Sequence, residues 1–73
     1  MSTKVTHILV DSSMVDTASY YNDSKKLIVN FKNGRVYVYK NVDESTFEDV
    51  RNANSTGRAL HNKVFNVFKY EEL

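Results

Sequence analysis

The Asn33-Gly34 pair, flanked by two β-favouring runs, constrains the fold of this chain more than any other feature. Residues 27–31 before it read Leu-Ile-Val-Asn-Phe, and Tyr37-x-Tyr39 follows shortly after. An Asn-Gly pair between such runs is the strongest short-range signal of a β-hairpin, because both residues tolerate the left-handed backbone that tight turns require. The sequence therefore predicts an antiparallel hairpin at its centre.

The register of this hairpin decides where its two tyrosines lie, and the sequence permits two registers. A two-residue turn at the Asn-Gly pair would pair Phe31 with Val36 and place the tyrosines on the face opposite Phe31. A turn one residue earlier, with Gly34 as a left-handed bulge residue, would pair Phe31 with Arg35 and place the tyrosines on the same face as Phe31. We favour the second register because it creates one large aromatic face against which helices can pack.

The remaining elements indicate an α+β fold. Residues 15–21, 26–32 and 35–41 predict a three-stranded antiparallel meander, and residues 5–10 are expected to form a short edge strand or an ordered arm. Helical signals begin at Asp43, where residues 45–48 read as a capping box. A second helix, capped by Ser55 or Thr56, is predicted over about residues 57–68. We expect both helices to pack on one face of the sheet.

The second helix has two distinct sides. Leu60, Val64, Val67 and Phe68 form an apolar stripe with the spacing of a core-facing helix. At 100° per residue, the opposite side is predicted to carry Arg58, Asn62, Phe65 and Lys69. This side combines charge, an amide and an aromatic ring, so it is a candidate binding surface.

Length and composition place the chain in a broad class. A chain of 73 residues is expected to form one domain over residues 1–73 with a thin core, and such domains often gain stability by forming homo-oligomers. The chain has no cysteine, no apolar run long enough to span a bilayer and no signal-peptide core in residues 1–10. We therefore expect a cytoplasmic protein without a membrane partner.

Charge is segregated along the chain although the net charge is only +1. Residues 25–40 carry five basic side chains and no acidic one, residues 41–50 carry four acidic ones, and residues 51–69 carry four basic ones. A chain-wide positive excess, typical of strong nucleic-acid binders, is absent. Recognition of RNA would therefore use a local basic surface.

Neither catalysis nor metal binding is expected. His7 and His61 are the two imidazoles, and no ligand pair has the spacing of a metal site. The acidic residues 43–49 are explained by the start of a helix. We predict no enzymatic activity and no cofactor.

Several of these motifs together resemble the KTSC domain, a small domain at the C-terminus of some lysyl-tRNA synthetases that also occurs as stand-alone proteins in bacteria and phages. The segments that carry the resemblance are Val10-Asp11-Ser12-Ser13-Met14, Tyr20 or Tyr21, the central hairpin with Tyr37-x-Tyr39, Val42, Phe47, Ser55-x-Gly57-Arg58 and Asn62. Asp43 stands where the family tends to have proline, and Ala59-Leu60 replaces an aromatic-rich pair.

The resemblance implies three antiparallel strands followed by two helices, and it suggests RNA binding. We therefore expect a non-catalytic module that recognises RNA, or a small phosphorylated nucleotide held near Ser55, Thr56, Gly57 and Arg58. The alternative is a protein-interaction or homo-oligomeric assembly module, including a phage protein that sequesters a signalling nucleotide. The predicted binding residues are Arg35, Tyr39, Ser55, Gly57, Arg58, Asn62, Phe65 and Lys69.

Overall fold

The computed structural model describes residues 4–73, and in this range five antiparallel strands form one sheet in chain order. The strands are β1 (Val5–Leu9), β2 (Val15–Tyr21), β3 (Lys26–Phe31), β4 (Val36–Tyr39) and β5 (Tyr70–Glu72). Two helices, α1 (Glu44–Arg51) and α2 (Thr56–Leu60), connect β4 to β5, and α2 continues into a π-helical turn over His61–Phe65.

The α+β class is confirmed, whereas the predicted number of strands is wrong. β1 is an edge strand, which was one of the two expectations for residues 5–10. β5 was missed because the second helix was predicted to extend to residue 68, and because a strand of three exposed residues has no readable burial pattern. β5 pairs with β4 and places Tyr70 opposite Tyr39.

The favoured hairpin register is confirmed. The N–H of Phe31 donates to the carbonyl of Arg35 at 2.9 Å, and the N–H of Gly34 donates to the carbonyl of Phe31 at 3.0 Å. Gly34 adopts a φ of 91°, as expected of a bulge residue. Tyr37 and Tyr39 consequently lie on the same face of the sheet as Phe31.

The core lies between this face of the sheet and the helices. Its fully buried side chains come from β2, β3, the two helices, the π-helical turn and the loop before α1, and the largest are Phe47, Leu27, Leu60, Val15, Val29, Val42, Val50 and Val64. The Tyr20 ring stacks on Phe47 at 4.6 Å, and its hydroxyl donates to the carbonyl of Val42 at 2.7 Å. This hydrogen bond ties the chain before α1 to the middle of the sheet.

The predicted capping box would place the cap of the first helix at Ser45, but the helix begins earlier. The cap residue is Asp43, whose carbonyl accepts the N–H of Phe47 at 3.2 Å. The hydroxyls of Thr46 and Ser45 donate to the Asp43 carboxylate and lower its pKa. The predicted capping box is therefore wrong, and Ser45 lies inside the helix.

The second helix is shorter than predicted. Ser55 caps it by accepting the N–H of Arg58 at 3.3 Å, but α-helical geometry ends at Leu60. The π-helical turn that follows has one more residue per hydrogen-bonded turn, so it shifts the positions that face the core. Val64 remains buried, whereas Val67 of the predicted apolar stripe is 64% exposed.

Candidate functional site

A cavity of about 340 Å³ opens beside the central hairpin, and we call it the aromatic cleft. Its walls come from the hairpin, from β5 and from the π-helical turn. It is lined by Met14, Phe31, Asn33, Arg35, Tyr37, Tyr39, His61, Phe65 and Tyr70. The cleft therefore exists because β5 and the π-helical turn both return to the face on which the hairpin places its tyrosines.

The rings of the cleft pack on one another in pairs. Tyr37 and Tyr70 are stacked with centroids 4.6 Å apart and planes 10° apart, and Tyr39 and Phe65 are stacked at 5.5 Å. The edge of Phe31 meets Tyr37 at 4.9 Å. Tyr70 is 51% exposed although it belongs to this cluster. Ring surface suitable for stacking is thus available to a ligand.

Arg35 supplies positive charge beside these rings. Its Nη1 atom lies 3.6 Å from Oε1 of Glu72, and its side chain is 60% exposed. A hydrogen bond with the Tyr37 hydroxyl and, secondarily, the Glu72 carboxylate raise the pKa of Arg35. The guanidinium is therefore always charged at this border.

Tyr39 forms the buried side of the same cleft and is neutral at physiological pH. Burial raises its pKa to about 12, and the nearby Tyr70 and Tyr37 add to this effect. A neutral phenol next to other rings keeps this part of the cleft apolar. The cleft thus combines an apolar aromatic wall with a cationic border.

A second cavity, of about 270 Å³, lies on the other side of the helical segment, and we call it the basic cavity. It is lined by Ala53, Asn54, Ser55, Arg58, Ala59, Asn62 and Lys63. Nζ of Lys63 is 3.9 Å from Oδ2 of Asp49. The cavity therefore combines two basic side chains with amides and one nearby carboxylate.

Six of the eight predicted binding residues line one of the two cavities. Arg35, Tyr39 and Phe65 line the aromatic cleft, whereas Ser55, Arg58 and Asn62 line the basic cavity. Phe65 was predicted to share a helix side with Arg58, Asn62 and Lys69, and this placement is wrong. The π-helical turn directs Phe65 onto Phe31 and Tyr39 instead.

Two predicted residues line neither cavity. Gly57 is buried against the segment before β2, where an added Cβ would lie 2.8 Å from Cβ of Ser12. This close approach explains why glycine occupies the position. Lys69 is exposed, and its carbonyl accepts the N–H of Lys40 at 3.1 Å beside the start of β5.

Tyr70 and His61 are cleft residues that the sequence analysis did not select. Tyr70 follows a segment predicted to be helical, so its pairing with Tyr39 was not foreseen. His61 meets the Phe65 ring edge-on at 4.8 Å, a contact that arises within the π-helical turn. An aromatic residue shortly after the second helix was the available signal, but by itself it does not predict a strand.

The opposite face of the sheet bears on the protein-interaction alternative. Ile28 and Val38 are paired there, and Leu9 on the same face is 83% exposed. Phe65 lies on the helix-covered face and Val38 is buried, so these side chains do not form one exposed apolar surface.

Among residues 4–73, no group of three or more His, Cys, Asp or Glu side chains is placed to hold a metal ion. No helix in the described part of the chain has the length and apolarity needed to cross a bilayer.

Comparison with known proteins identifies the family. A lysine–tRNA ligase of Nostoc punctiforme is 33% identical over 63 residues, a match that spans 86% of this chain and 11% of the ligase. The crystal structure of a KTSC domain protein from Yersinia pestis superposes with a TM-score of 0.81 at 24% identity, covering 96% of this chain and 99% of that one. The family model of the KTSC domain matches residues 11–68. Since this match spans most of the sequence, the chain belongs to the KTSC domain family.

Proposed function

We propose that this chain is a non-catalytic binding module that holds RNA or a phosphorylated nucleotide, with a base against the rings of the aromatic cleft. The observation that carries the proposal is the position of the half-exposed Tyr70 ring and the charged Arg35 side chain at the same cavity. Aromatic rings stack on the faces of unpaired bases, and arginine pairs with phosphate.

The expected affinity is modest. Base stacking on an aromatic side chain contributes about 1 to 3 kcal/mol per base, and each phosphate contact makes binding weaker at high salt. The net charge of +1 provides little long-range attraction to RNA. Binding therefore depends on contacts in and around the cleft.

One relative supports an RNA ligand. The similar protein from Nostoc punctiforme is named as a lysine–tRNA ligase, an enzyme that acts on a tRNA. Only 11% of that ligase corresponds to this chain. This similarity supports RNA rather than a ligand that contains no nucleotide. The competition experiment described below distinguishes RNA from a small nucleotide.

Fluorescence anisotropy with 5′-fluorescein-labelled single-stranded RNA hexamers tests the proposal. Tyr70→Leu keeps an apolar side chain but removes the ring, and it should weaken binding about fivefold or more. Tyr21→Leu is the matched control, because Tyr21 lies on the opposite face of the sheet. Equal affinities of the two variants and the unaltered protein would contradict the proposal.

A second arm distinguishes RNA from a free nucleotide. Unlabelled nucleoside monophosphates and diphosphates are added as competitors to the same labelled hexamers. Displacement at concentrations similar to those of unlabelled hexamer would favour a small nucleotide. Displacement only by hexamer would favour RNA.

Assembly through the opposite sheet face is the second candidate. The observation that favours it is Leu9, which is 83% exposed on a face of the sheet that neither helix covers. A domain of this size also gains stability from pairing with a second copy. Light scattering coupled to size-exclusion chromatography tests it: a dimer that Leu9→Lys converts to monomer would support assembly, and a concentration-independent monomer would exclude it.

A further inference from the structure

We propose that the basic cavity is a second, phosphate-binding subsite, so that the ligand is a strand of two or more nucleotides that crosses the helical segment between the two cavities. The inference rests on the proposed function, because it assumes that a base occupies the aromatic cleft. It adds a class of ligand: an oligonucleotide rather than a mononucleotide.

The two cavities share one helical segment. His61 and Phe65 border the aromatic cleft, whereas Asn62 and Lys63 border the basic cavity. Neighbouring residues 61 and 62 therefore contribute to different cavities. A helix with its side chains is about 10 to 12 Å across. A ligand that occupies both cavities must span this width.

The charges of the basic cavity suit a phosphate. Arg58 and Lys63 provide two positive charges, and Asp49 near Lys63 provides one negative charge. Asn62 adds an amide that can donate to a phosphate oxygen. Guanidinium groups bind phosphate through two parallel hydrogen bonds, so Arg58 is the residue we expect to make the main contact.

The side chain of Arg58 makes no polar contact that stabilises the described part of the fold. Within residues 4–73, its guanidinium takes part in none of the ion pairs or side-chain hydrogen bonds. Its side chain is exposed at the border of the cavity. Its backbone N–H, by contrast, is already donated to Ser55, so the inferred subsite consists of side chains and does not involve the start of α2.

The test measures the affinity and salt dependence of Arg58→Ala for 5′-fluorescein-labelled RNA hexamers and for fluorescent nucleoside monophosphates. The matched control is Arg51→Ala, an exposed arginine on α1 that lines neither cavity. Tyr70→Leu reports on the aromatic cleft in the same titrations. Thermal melts of all three variants establish that each is folded.

We expect Arg58→Ala to weaken hexamer binding about fivefold and to reduce the slope of log affinity against log salt by about 0.7, the value for one phosphate of a single strand. Monophosphate binding should not change. If Arg58→Ala and Arg51→Ala bind hexamers equally while Tyr70→Leu is impaired, this inference is wrong and the proposed function stands. If Tyr70→Leu also binds normally, both the proposed function and this inference are wrong.

Discussion

Glu72 in β5 forms an ion pair with Arg35, the residue just before β4, with 3.6 Å between Oε1 and Nη1. The adjacent Glu71 points to the opposite face of the sheet, where it accepts a hydrogen bond from Nζ of Lys40 at 2.7 Å. One of two consecutive carboxylates therefore lies beside the arginine of the aromatic cleft. A phosphate that approaches Arg35 has to compete with Glu72.

Glu72→Gln should strengthen RNA binding, because it removes this competing negative charge. The gain should be at most about fivefold, since both partners are exposed and such pairs contribute about 1 kcal/mol or less. Anisotropy titration with labelled RNA measures it. Glu71→Gln makes the same chemical change on the other face and should leave the affinity unaltered. An equal gain in both variants would mean that only net charge matters.

Gly57→Ala should destabilise the fold. The added methyl group would lie 2.8 Å from Cβ of Ser12 and 2.9 Å from the carbonyl oxygen of Asp11, so the chain before β2 must move away from α2. Overpacking of this kind costs about 1 to 3 kcal/mol. Urea unfolding measures the free energy. In the Ser12→Gly background the cost of Gly57→Ala should be smaller, because one of the two clashing atoms is absent.

Gly34→Val should also destabilise the protein, but for a different reason. Nothing lies within 4 Å of an added Cβ at this position, whereas a φ of 91° is unfavourable for a β-branched residue. We expect a loss of about 1 to 2 kcal/mol in urea unfolding. Gly34→Asn should lose less, because asparagine tolerates positive φ better. Equal losses in the two variants would argue against a backbone origin.

Tyr20→Phe should lower the free energy of unfolding by about 1 to 3 kcal/mol, because it leaves the buried carbonyl of Val42 without its hydrogen-bond donor. Ring stacking on Phe47 is retained in this variant, so the change isolates the hydroxyl. Tyr21→Phe, on the adjacent residue of the opposite face, is the control and should have little effect. Chemical denaturation at neutral pH distinguishes the two.

Tyr39 makes the free energy of unfolding depend on pH in the alkaline range. Its pKa is raised from 10.0 to about 12 in the folded protein, chiefly by burial. Below pH 10 the hydroxyl is protonated in both states, and its contribution to stability is constant. Between pH 10 and about 12 the unfolded chain releases this proton while the folded chain retains it, so the free energy of unfolding falls as pH rises.

The comparison of the unaltered protein with Tyr39→Phe isolates this effect. In urea unfolding over this pH range, the free energy of unfolding should fall more steeply for the unaltered protein than for Tyr39→Phe. In a titration followed by absorbance at 295 nm, the step from the tyrosine that ionises last should be absent in Tyr39→Phe. Parallel pH profiles would show that Tyr39 titrates normally.

Local chemistry made the central hairpin predictable. Gly34 favoured one register, and so did the single aromatic and apolar face that this register gives to alternate residues of the two strands. The structure has that register. Ser55 was recognised as one of two possible caps of the second helix for the same reason, since its hydroxyl acts on a backbone group three residues away. Arg35 and Tyr39 were selected as candidates without knowledge of the cleft that they line.

The sequence by itself determined the α+β class and the position of the central hairpin, and it favoured one of two registers for that hairpin, because turn chemistry, alternation within a strand and capping at a helix end are local properties. Only the tertiary structure determined which residues come together to form the aromatic cleft and the basic cavity. The π-helical turn at His61–Phe65 moves Phe65 to the sheet, and the pairing of β5 with β4 brings Tyr70 to Tyr39. Both depend on packing between segments about 30 residues apart, which no local pattern specifies.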